Sequence, residues 1–164
     1  MKQIFVILLC FLLLGGCAQK DPSPTAPPIT AAPGDPTVAP TYLAQRFTLY
    51  YGDENAEKFL SREVQVAEIT KEIVMAELIA AGVLAEGAAI NKLEKGGTQL
   101  RVDFNQNFAD QVCTMGTSGE YMIIGSTVNT LLSAFHAESV LITINGEILE
   151  SGHVIYDFPL AFHA

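Results

Sequence analysis

Thr117-Ser-Gly-Glu-Tyr-Met-Ile-Ile-Gly-Ser-Thr-Val-Asn-Thr-Leu-Leu-Ser-Ala-Phe135 is the stretch on which the fold turns. Tyr121, Ile124, Val128, Leu131 and Phe135 recur at intervals of three, four, three and four, the period of an amphipathic helix, with Asn129 and Ser133 on its other side. Thr117 and Glu120 have the S/T-x-x-E spacing of a capping box, which makes Glu120 a helix-capping residue. In this phase Val128 and Leu131 face a sheet and Asn129 does not, so an acid at Asn129 should be mild and an acid at either apolar position should unfold the domain.

Strands are read on both sides of this helix. Arg46-Phe-Thr-Leu-Tyr-Tyr51 alternates Phe47, Leu49 and Tyr51 on one face and ends at Gly52-Asp53-Glu54-Asn55, a strand and a turn. Phe59 to Val66 repeats the pattern more weakly through Leu60, Val64 and Val66. From Glu68 to Ala81 the period becomes helical, with Ile69, Ile73, Ala76 and Ala80 widened by Val74, Leu78 and Ala81; so apolar a helix should be covered on most sides, and Gly82 is its stop. Gly96-Gly97 punctuates a hairpin from Ile90 to Phe104, in which Leu100, Val102 and Phe104 share a face. A polar loop is expected between Phe104 and Thr117. After the long helix, Val140 to Ile144 is a short strand stopped by Asn145-Gly146, and Gly152 to Phe158 is a candidate for one more. The order predicts an α+β fold, an α/β sandwich in which two helices pack on a mixed or mostly antiparallel sheet of four to five strands.

The start of the chain has another character. Behind Lys2, the apolar run Ile4 to Leu14 is too short to span a bilayer, and Leu14-Gly15-Gly16-Cys17 resembles the lipobox of bacterial lipoproteins. The resemblance implies cleavage before Cys17, lipidation of its thiol, and residence at the cell membrane with the domain facing outside the cytoplasm. Residues 18–41 hold seven of the eight prolines and few large apolar residues, the composition of a disordered stalk. Residues 42–164 remain for one folded domain.

Charge and cysteine content then exclude several chemistries. Without the 16 residues before Cys17 the chain keeps 8 basic and 18 acidic side chains, a net of −10, which argues against nucleic acid or anionic lipid as a partner of the domain. Cys10 leaves with the signal and Cys17 carries lipid, so Cys113 stands alone, with no intrachain disulfide, and is read as a buried or loop thiol. His136, His153 and His163 form no metal-binding spacing; surface or helix-end positions suit them, His136 at the end of the long helix where its dipole favours a cation. Asp103, Asp110 and Glu120 are the carboxylates that a peptidoglycan-acting envelope hydrolase would need, but the chain has no tryptophan for a sugar platform. The glycines match no phosphate loop or dinucleotide fingerprint. No catalytic, cofactor or metal residue is expected, and no small-molecule substrate. A solute-binding protein is disfavoured because 123 residues cannot build two lobes.

Taken in order, Phe47-Thr-Leu-Tyr-Tyr51, the Ala- and Leu-rich helix, Leu100-Arg-Val-Asp-Phe-Asn105 followed by Phe108, Gly116-Thr-Ser-Gly-Glu120, and Thr130-Leu-Leu-Ser-Ala-Phe135 leading to Val140-Leu-Ile-Thr-Ile-Asn-Gly146 resemble the GerM-type sporulation and germination domain. The resemblance runs from about Phe47 to Glu150. It departs from the founding pattern in having one copy rather than two in tandem, and Asn145 where the last strand usually shows Asp. The resemblance implies a fold like ring-building modules and a non-enzymatic role in assembling an envelope or forespore complex. Its partners would be the membrane, through lipid on Cys17, and envelope proteins or further copies of itself.

Overall fold

In the computed structural model, which describes residues 43–164, the first two apolar alternations pair with each other. Strands β1 (Gln45–Gly52) and β2 (Phe59–Val66) form an antiparallel hairpin, with Phe47 opposite Val64 and Tyr51 opposite Leu60. Phe47, Leu49 and Val64 point into the core. The signal, Cys17 and the proline-rich stretch lie outside the described residues.

Helix α1 (Lys71–Ala80) starts later than its apolar pattern, because Thr70 takes the N-cap and its hydroxyl accepts the Ile73 N–H at 3.3 Å. Val74, Met75 and Leu78 are buried, but Ala76 and Ala80 are exposed, so α1 is not covered on most sides. Alanine contributes too little area to decide which side of a helix turns inward. The helix ends before Gly82, as expected. Strands β3 (Ile90–Gly96) and β4 (Gln99–Phe104) form the hairpin that Gly96-Gly97 announces.

The expected loop after Phe104 is instead a helix, α2 (Gln106–Thr114). Asn105 caps it, its side-chain oxygen accepting the Phe108 N–H at 3.4 Å, and Phe108, Ala109 and Val112 turn inward. Phe108 stacks on Phe104 at 4.1 Å between ring centroids, which locks the new helix to the end of β4. Helix α3 (Thr117–Phe135) follows, and β5 (Ser139–Ile144) then returns parallel to β4. Asn145 and Gly146, both at positive φ, turn the chain into β6 (Glu147–Ile148), antiparallel to β5. Only a short polar side chain and glycine tolerate that pair of angles cheaply.

The α+β class therefore holds, with three helices in place of two and two sheets: the β1-β2 ribbon and a mixed sheet in the order β3-β4-β5-β6. Residues 152–158 form no strand; single antiparallel bridges join Glu150 to Ile155 and Val140 to Leu160. Burial along β4 and β5 alternates, with Leu100, Val102, Phe104, Val140, Ile142 and Ile144 all inward.

Helix α3 is the axis of the domain, not a surface helix. Every residue from Met122 to Leu132 is buried, while Tyr121, expected in the inward stripe, is exposed. The β1 strand lies along one side, and its free edge is closed by helix hydroxyls: the Thr48 N–H donates to Ser133 Oγ at 2.8 Å and the Tyr50 N–H to Thr130 Oγ1 at 3.0 Å. The chain beyond Leu160 crosses another side. There Asn129 pairs with the His163 backbone, donating to its carbonyl and accepting its N–H, both at 2.8 Å. Asn129 is thus a buried strap point, which removes the ground for expecting an acid there to be mild. Gly125 makes room for this crossing, since a methyl there would overlap the Phe59 ring and press on His163.

Candidate functional site

Glu120 is the one carboxylate buried among the described residues. The N-cap of α3 is Gly116, one residue before the threonine of the expected box, and makes no side-chain cap bond. Glu120 caps nothing. Its side chain turns inward, where Oε1 accepts the hydroxyls of Ser151 and Tyr156, each at 2.6 Å, and Oε2 lies 3.0 Å from Nδ1 of His153. Three donors from the C-terminal segment outweigh the single backbone N–H that a capping box would satisfy. Burial, the largest influence, would raise the pKa of Glu120, but the bonds from Ser151, Tyr156 and His153 together hold it below the ordinary range. Burial, and then the carboxylate, push the Tyr156 phenol upward.

Serine, histidine and glutamate side by side invite comparison with a hydrolytic triad, and the geometry argues against it. A nucleophilic serine gives its proton to the histidine ring. Here Ser151 donates to the carboxylate itself, and its oxygen accepts the N–H groups of His153 and Val154 at 3.2 and 3.0 Å. The cluster is a clasp that fixes residues 151–156 to α3.

The other candidate residues do not join it. Asp103 Oδ1 accepts the Thr143 hydroxyl and the Gly146 N–H, both at 2.7 Å, while Oδ2 accepts from Asn91 at 3.1 Å. Burial raises its pKa, and these bonds, aided by Lys92, lower it further. Asp103 thus holds the Asn145-Gly146 turn against the sheet. Asp110 is exposed and accepts from Gln106 on its own helix. Glu120, Asp103 and Asp110 share no bonding partner. Cys113, read as a buried or loop thiol, is exposed on α2, its sulfur 3.5 Å from the Glu150 carbonyl oxygen. His136 takes the left-handed position that ends α3, but the cation at that helix end is Lys95, whose ammonium donates to the carbonyls of Phe135 and His136 at 2.7 and 2.9 Å. His163 is half-buried, which pushes its imidazole pKa down. Among the described residues no three His, Cys, Asp or Glu side chains gather as a metal site would require, and no helix is long and apolar enough to cross a membrane.

What the fold leaves open is a surface. The helices cover one face of the four-stranded sheet, and the other carries Lys92, Glu94, Arg101, Asp103, Leu141 and Thr143, which line a broad open depression. Across β3 and β4, Lys92 faces Asp103 and Glu94 faces Arg101, so charge balances on that half. A separate hollow of about 250 Å³ opens where β1 ends near α2 and α3, lined by Tyr51, Val83, Met115, Met122 and Ile123, with no charged group.

The family described as Germane, sporulation and spore germination, matches residues 48–150. The chain belongs to this family. A search of curated proteins finds no match. Among solved structures the chain is similar to the tandem GerMN domains of the sporulation protein GerM from Bacillus subtilis, at 17% identity and a TM-score of 0.50, covering 79% of this chain and 50% of that one. It thus spans half the length of the tandem structure. It is also similar to a Clostridium perfringens protein described as a candidate lipoprotein, at 14% identity and a TM-score of 0.49, covering 72% and 87%. At 17% identity the likeness to the GerM domains speaks to the fold alone. The Germane match ends at residue 150, so the clasp residues Ser151, His153 and Tyr156 and the strap at His163 lie beyond it.

Proposed function

We propose that this Germane-family chain is a lipid-anchored, extracytoplasmic interaction module that takes part in assembling a sporulation- or germination-related envelope complex, and that it is not an enzyme. The proposed organisation is a signal over residues 1–17, a stalk over 18–41 and the domain over 42–164, with lipid on Cys17 as the membrane anchor. The observation that carries the reading is the family match over residues 48–150, in a domain whose polar side chains are engaged in holding turns and tail while an open sheet face remains free. Each ionisable side chain weighed as a catalyst has a structural partner or stands alone on the surface.

Complementation tests this directly. Cells lacking the gene are given the full chain with Asp103, Asp110, Cys113 and the three histidines replaced by alanine one at a time, then scored for spore formation, germination and peptidoglycan cleavage. Every stably folded variant should restore the wild-type phenotype. One folded variant that abolishes a measurable hydrolytic activity would overturn the reading.

A further inference from the structure

Across the end of the family's match at residue 150, residues 147–158 fold back as a small ribbon at the far edge of the sheet. Glu150 bridges Ile155, the Tyr156 N–H donates to the Leu149 carbonyl at 2.9 Å, and the Ser151 N–H donates to the Val154 carbonyl at 3.0 Å. Side chains alternate across such a ribbon. Leu149 and Tyr156 face inward and are buried; Ile148, Glu150 and Ile155 face outward, and the register sets Asp157 opposite Ile148 on that outward face. Ile148 is 53% exposed and Ile155 55%. Large aliphatic side chains this exposed, on a ribbon whose backbone is held by the Glu120 clasp, form a rigid apolar platform.

Its charge sets it apart from the rest of the sheet. Glu147, Glu150 and Asp157 flank the two isoleucines, no Lys or Arg occurs from Glu147 to Phe158, and among the described residues none of these three acids makes an ion pair. An open groove of about 380 Å³ continues from Ile148 toward α2, floored by Ala109, Ile144 and Leu149 and edged by Glu147 and Glu150. The β3-β4 half of the same face is charge-balanced, so its field is weak; at this end Glu147, Glu150 and Asp157 surround an apolar centre with no lysine or arginine between them.

We infer that the 147–158 ribbon and the adjoining groove form the docking surface of this module, and that its occupant is a protein segment presenting large apolar side chains flanked by lysine or arginine. Apolar contact on Ile148 and Ile155 supplies affinity, and the acids favour a cationic partner over an acidic one. A second copy of this chain is the wrong occupant, because a domain with this excess of acid meets the same ribbon with like charge. The inference rests on the binding-module reading and narrows it to one surface and one partner chemistry.

The test is photo-cross-linking from the full-length chain in its native cell, with p-benzoylphenylalanine placed singly at Ile148, Ile155, Leu60 on β2 or Arg101 on β4. Adducts should form from Ile148 and Ile155 and not from the other two positions. Sequencing of the cross-linked peptide should find lysine or arginine beside large apolar residues. Combining Glu150→Lys with Asp157→Lys, whose side chains are exposed and enter none of the hydrogen bonds described, should lower adduct yield by about tenfold while leaving the thermal midpoint unchanged. Adducts only from Leu60 or Arg101 overturn this surface and leave the binding-module reading standing. An adduct with a second copy, or with an acidic peptide, overturns the partner chemistry. No adduct from any position overturns both.

Discussion

Glu120 couples the stability of the domain to pH. Its carboxylate is held below its ordinary value of 4.5 by Ser151, Tyr156 and His153. A carboxylate with a lowered folded pKa contributes its full stability above the unfolded value and loses it as pH falls through the folded one. The thermal midpoint should therefore be insensitive to Glu120 above about pH 5 and fall as pH drops below 4.5, with Asp103 adding to the same acid limb. Glu120→Gln keeps the shape but gives up charge-assisted bonds; it should cost about 1–3 kcal/mol at neutral pH and flatten the acid limb of a midpoint-versus-pH series. At Asn129, the Asp variant replaces the donor to the His163 carbonyl by a buried anion, and denaturant titration should show a loss of about 2–4 kcal/mol. Neither role was legible in the sequence. Helical period places Asn129 on the polar side of its helix and S/T-x-x-E places Glu120 at a cap, whereas both side chains are claimed by residues 31 to 36 positions away. Local patterns carry no information about such partners.

At the level of elements, the sequence was most legible where a strand must alternate or a turn must adopt unusual angles. The β1, β2, β4 and β5 strands, the Gly96-Gly97 hairpin and the Asn145-Gly146 turn all follow from period two and from glycine or asparagine at positive φ. Helix α2 was hidden because nine residues give only Phe108, Ala109 and Val112 as an apolar side; Asn105 three residues before Phe108 was the available signal. Helix α3 was recognised but its surroundings were not, since a helix wrapped on nearly all sides has no polar face for period to reveal. Val128 and Leu131 are nonetheless at the centre of its packing, each fully buried. Aspartate at either should remove several kcal/mol from a total of about 5–15, and circular dichroism at 25 °C should report an unfolded domain. Gly125→Val should be damaging for a different reason: its branched side chain must displace both Phe59 and the strap, so limited proteolysis should release the residues after Leu160 before the rest of the domain is cut.

For the whole molecule, the proposed function assigns membrane attachment to Cys17 and the fold to residues 42–164. Cys17→Ala should move the protein from the membrane to the soluble fraction, while the thermal midpoint of the domain stays that of the wild type. Retention of the variant in the membrane pellet would remove the lipid from the proposal. Within the domain, the β1-β2 ribbon and the four-stranded sheet form separate hydrogen-bonded ladders, and α3 lies against both β1 and β5. The two hydroxyl acceptors on α3 that close the β1 edge give this arrangement a built-in reporter. The amide protons of Thr48 and Tyr50 are held by side chains of another element, not by a neighbouring strand. In deuterated solvent they should exchange only when helix and ribbon part, whereas amides inside the β1-β2 ladder wait for the ribbon itself to open. The logarithm of their slowing relative to a free amide gives the free energy of undocking, read from two protons.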